Sequence, residues 1–149
     1  MKYALNTEKQ SGVMLLEALI GILIFSIGVL AVVGLQANTI NFVTDSKSRA
    51  DASFMANQII GKMWVNRANL NTYACNPCTT ANGNADTQQW VAQMQSGGST
   101  PLPGVTNLVN RPQIVMGGVN NQVTVTIFWQ TPRSSGSHSH VAIAYINNP

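Results

Sequence analysis

The chain has 149 residues, of which 45% are apolar and only 9% charged, with a formal net charge of +3. That length suits one domain plus an anchor, and so few charges set the chain apart from soluble domains, in which roughly 25% of residues are charged. Lys47, Arg49, Lys62, Arg67, Arg111 and Arg133 are scattered, so no basic cluster points to a nucleic-acid partner and none is expected. Five acidic residues, no Gly-rich phosphate loop and no G-x-S-x-G give catalysis little to work with. Neither an enzymatic activity nor a cofactor is expected.

The chain begins with a polar segment, Met1–Gly12, carrying Lys2, Glu8 and Lys9. Val13–Leu35 follows and is almost wholly apolar, with one charge at Glu17. As a helix it measures about 35 Å, enough to cross a hydrocarbon core of about 30 Å. An ordinary secretory signal has a shorter apolar core and a small-residue cleavage site after it. Here the core is longer, no such site follows, and the small residue Gly12 precedes it. Cutting after Gly12 removes the leader and keeps the span. A carboxylate within a span is costly. Glu17 lies in the first turns after Gly12, where the positive end of the helix dipole offsets part of that cost. The α-amine that cleavage would create on Val13 can meet Glu17, within one chain or between neighbouring chains.

The stretch SGVMLLEALIGILIFSIGVLAVVGLQ resembles the class III signal of type IV prepilins and pseudopilins. In that pattern a short basic leader ends in Gly, a hydrophobic residue follows, and Glu stands fifth after the cut. The resemblance implies that prepilin peptidase cuts between Gly12 and Val13, that Val13 is N-methylated, and that Glu17 is the carboxylate needed for assembly. Val13 stands where major pilins usually have Phe, and no proline interrupts the span; both features fit a minor pilin. SRADASFMANQIIGKMWVNRANLNTY and DTQQW resemble the PilV-type minor pilins. The family implies an α+β pilin fold with three parts: a cleaved leader (1–12), a transmembrane and pilus-core helix (13–35) and a periplasmic globular domain (36–149). It also implies membrane lipid before assembly, then other minor and major pilins and the inner-membrane assembly platform as partners. The destination is a pilus at the cell surface, serving adhesion, twitching motility or DNA uptake. A pseudopilin of a type II secretion system carries the same signal and is the nearest alternative.

No proline occurs before Pro77, so the helix can continue to about Asn66. Ala52, Met55, Ala56, Ile59, Ile60 and Met63 recur at steps of three and four, which places them on one core-facing side. Leu70–Asn84 reads as a loop. Asp86–Gln95 reads as a short helix with Asp86 at or near its N-cap, and Gly97–Gly104 as a turn or linker. The last third reads as antiparallel sheet: Gln113–Met116, a turn over Gly117–Asn121, Gln122–Gln130, a polar loop over Pro132–Ser139, and His140–Asn147. In the clearest strand, Val123, Val125, Ile127 and Trp129 face one way. A long helix followed by a small meander is an α+β pattern.

Cys75 and Cys78 form a C-x-x-C, open to three readings: a redox site, half of a zinc site, or a structural disulfide. The motif lies in a loop outside any βαβ pattern and has no second C-x-x-C. The periplasmic setting that the resemblance implies points to a disulfide pinning a polar loop. A membrane-tethered thiol oxidoreductase is the alternative from another functional class. His138 and His140 are two apart, a spacing that places both on one face of a strand and suits a metal. No third ligand is evident, and no metal is expected.

Overall fold

The computed structural model describes residues 11–95, 97–117, 121–132 and 134–147. The expected leader lies outside the described residues up to Gln10, as does the middle of the expected Gly117–Asn121 turn. Helix α1 (Ser11–Val65) leads into a 3-10 helix (Arg67–Tyr73) and then α2 (Ala85–Met94). A short 3-10 turn (Leu108–Asn110) precedes strands β1 (Gln113–Met116), β2 (Gln122–Trp129) and β3 (His138–Tyr145). The three strands form one antiparallel sheet in the order β1-β2-β3, so the architecture is α+β.

The chain divides into two compact units, Met1–Asn41 and Phe42–Pro149. In the first, the described residues are all helical, and the large apolar side chains of Val13–Leu35 are 46–73% exposed. The hydroxyl of Ser26 donates to Ile22 O at 2.7 Å, so this polar group is satisfied without solvent. Burying each large apolar side chain is worth about 1.5–3 kcal/mol. The whole stretch therefore carries a cost in water on the order of tens of kcal/mol.

In the second unit, one core gathers the last turns of α1, α2 and the sheet. Ala52, Met55, Ala56, Ile59 and Met63 are fully buried, and Ile60 packs at their margin. Strand β2 alternates as its sequence dictates, with Val123, Val125, Ile127 and Trp129 fully buried. The Trp90 indole N–H donates to Met55 O at 2.8 Å and ties α2 to α1.

Two elements differ from expectation. Strand β3 begins at His138 because the sheet register pairs Trp129 with His138, extending the ladder into the expected loop. Its faces also run against size. Ala142 and Ala144 turn toward the core, while Val141, Ile143 and Tyr145 stay 51%, 55% and 56% exposed. Bulk in the core comes instead from Trp90, Trp129 and Tyr73. The expected Gly97–Gly104 linker proves to be a plug, with Leu102 and, just beyond it, Val105 buried. Leu102 N–H donates to Met94 O and Gln130 N–H to Pro103 O. Gly104 sits at φ +74, where a Cβ would lie 3.1 Å from Gln130 O, so both its backbone and its neighbours favour glycine.

Because Ile59 is fully buried in this core, Ile59→Ala is expected to cost about 2–4 kcal/mol by transfer and cavity terms. The exposed Val109→Thr should stay within about 0.5 kcal/mol. Chemical denaturation of the detergent-solubilised chain measures both.

Candidate functional site

The N-terminal residues singled out by sequence fall at the start of α1. Gly12, Val13 and Glu17 are all helical and exposed. Glu17 makes no hydrogen bond or ion pair among the described residues. Among the described residues, one helix is long and apolar enough to cross a membrane, and its apolar window is unburied. An unpartnered carboxylate on such a surface is stable only beside water, a helix N-terminus or a cation from another group.

Cys75 and Cys78 are joined in a disulfide, and their residues are only 8% and 0% exposed. The bridge lies against the sheet. Cys75 N–H donates to Ile114 O at 3.0 Å, Ile114 N–H returns to Cys75 O at 2.8 Å, and Cys78 N–H donates to Pro112 O at 2.7 Å. The disulfide ring thus covers the free edge of β1 with a single antiparallel bridge.

Asp86 is not the helix cap. Asn84 is: its side chain accepts from Thr87 N–H at 2.9 Å. Asp86, in the first turn of α2, instead accepts from Lys62 Nζ at 2.9 Å and from the buried Tyr73 hydroxyl at 2.9 Å. These two contacts tie α1, the 3-10 helix and α2 together, and Asn66 Nδ2 donates to Tyr73 Oη at 3.4 Å. The Lys62 hydrogen bond first, and that of Tyr73 second, hold the Asp86 carboxyl below its usual range. Neither contact is legible in sequence, since Lys62 and Asp86 are brought together only by folding.

His138 and His140 both stand on β3 and point to its partly buried side. Among the described residues no group of three potential ligands surrounds them or any other site. His138 stacks on Trp129 with ring centroids 5.7 Å apart. Its Nε2 lies 3.1 Å from Ser134 Oγ and 3.8 Å from Asp45 Oδ1. A serine, a histidine and an aspartate meet here, but both contacts fall on the same ring nitrogen. In a hydrolytic triad the acid orients the other nitrogen, and 3.8 Å exceeds hydrogen-bond range. The cluster instead anchors the start of β3.

No family model, curated protein or solved structure matches the chain.

The depressed Asp86 carboxyl makes a signed prediction. Its stabilisation is fully present above the unfolded-state value of about 3.9 and is lost as pH falls through the lower folded-state value. Lys62 and Asp86 are 31% and 42% exposed, so solvent screening limits the effect to about 1 kcal/mol or less. Asp86→Asn should lower stability at pH 7 by that amount. The gap to the parent chain should close below about pH 4. Thermal melts across this range measure it; a gap that widened in acid would contradict the assignment.

Proposed function

We propose that this chain is a minor pilin, made as a prepilin and anchored by α1 before it enters a type IV pilus. The observation that carries the reading is an unbroken apolar helix, exposed on all sides over Val13–Leu35, with Gly12 at its head and an unpartnered Glu17 near its start. A surface of that kind requires lipid first and then neighbouring helices. Exposed apolar side chains continue along α1 at Phe42, Val43, Phe54 and Val65, which supports packing among other subunits.

In this reading prepilin peptidase cuts between Gly12 and Val13, and Val13 is then N-methylated. The span Val13–Leu35 holds the chain in the inner membrane with its globular part in the periplasm until the assembly platform extracts it. In the fibre, Glu17 pairs with the α-amine on Val13 of an adjacent subunit. The unpaired carboxylate is costly in lipid, and pairing offsets that cost and fixes axial register. The α+β arrangement agrees with a pilin-like fold, and the buried Cys75–Cys78 bridge supports a structural role in an oxidising compartment.

Glu17→Ala should insert and be cleaved normally. Its amount in sheared pili should fall about tenfold or more, because an ion pair in the apolar fibre core would be lost. Wild-type incorporation, read by quantitative immunoblot of the pilus fraction, would refute the pairing.

A further inference from the structure

The two edges of the sheet are treated differently. The disulfide ring covers β1 through the Cys75–Ile114 bridge. Strand β3 lies at the other edge, and among the described residues no segment pairs with its outer side. Edge strands are usually protected by charge, proline, a bulge or brevity. Strand β3 runs eight residues and contains no Lys, Arg, Asp, Glu or Pro.

The hydrogen-bond phase identifies which groups are free. Ile146 N–H donates to Asn121 O, so by antiparallel alternation Ala144, Ala142 and His140 turn their N–H and C=O toward β2. Ser139, Val141, Ile143 and Tyr145 turn theirs away from it. The same residues carry the exposed side chains of the outer sheet face.

We propose that β3 pairs antiparallel with β3 of a second copy of this chain, about a two-fold axis through Ala142. This inference is independent of the prepilin reading. The free donors and acceptors, at 139, 141, 143 and 145, are symmetric about residue 142, so this register engages all of them. Val141 is hydrogen-bonded opposite Ile143 of the second copy, and Ser139 opposite its Tyr145. On the outer face, Val141 and Ile143 of the two copies then cover one another, removing exposed apolar surface from water. On the inner face Ala142 meets Ala142 and Ala144 meets His140, small or neutral against small. The two histidines of one strand never stand opposite those of the other, so no like charges are opposed. The apolar pairs on the outer face and the absence of opposed charges suit a second copy, and isologous two-fold pairing is the commonest form of self-association.

The test is cysteine cross-linking of the full chain in native membranes and in detergent. Ala142→Cys places two thiols in a non-hydrogen-bonded pair, where Cβ atoms lie about 4.5–5.5 Å apart, close enough for a disulfide after slight adjustment. Thr80→Cys, on an exposed loop, is the collision control. Under mild oxidation, Ala142→Cys should give a species of twice the chain mass, with the bond mapped between the two substituted positions. Its yield should exceed the control by about tenfold or more. Adding Ile143→Lys, at a half-exposed site, should return the yield to control level by charging the edge, with circular dichroism unchanged. Cross-linking no greater than the control overturns the proposal. So does a yield that survives Ile143→Lys, or a disulfide to a different protein in place of a second copy.

Discussion

The fold depends on how helix α1 distributes its apolar surface. Over Val13–Leu35 that surface runs all the way round and is exposed. From Ala52 to Met63 a fully buried stripe appears on one side, and the rest of the second unit is arranged to meet it. Strand β2 supplies the matching column Val123, Val125, Ile127 and Trp129, while α2 is tied on through the Trp90–Met55 hydrogen bond. The helix of the first unit is long and apolar enough to cross a membrane.

Three strands make a small sheet with two edges, and the chain spends its covalent cross-link on one of them. The Cys75–Cys78 ring closes too little chain to restrict the unfolded state much; the loop-entropy model gives only about 2 kcal/mol. Its position explains its use better than its size does, because it holds a polar segment in hydrogen-bond contact with β1. The opposite edge has a regular ladder to β2 on one side and apolar side chains on the outer face, without the charges that would keep another strand away.

Where burial follows a simple period, the sequence is legible. The stripe on α1 at steps of three and four and the strict alternation of β2 translate directly into buried faces. The limits of α1 and the positions of β1 and β2 follow with little adjustment. Other features depend on contacts between distant residues. The Asp86 carboxylate looks like a cap until Lys62 and Tyr73 arrive from elsewhere, and Asn84 takes the capping role. Strand β3 gives no hint of which face is inward, since alternating Ala and larger apolar residues satisfy either choice. In the fold, Ala142 and Ala144 pack against the core that holds Trp90 and Trp129. Gly, Pro, Ser and Thr in Gly97–Gly104 signal a reversal of chain direction, but they do not reveal that Leu102 between two prolines is a core residue. The Cys75–Cys78 pairing is compatible with the spacing, while its seat on Ile114 is a tertiary fact.

The proposed minor pilin is processed at the head of α1, so that its apolar helix can pass from lipid into a fibre. Intact mass and N-terminal peptide analysis of the protein from its own host, with and without prepilin peptidase, tests this most directly. The expected result is an N-terminus at Val13 carrying one added methyl group, present only when the peptidase is. An intact Met1, or a cut elsewhere that ignores the peptidase, would contradict it.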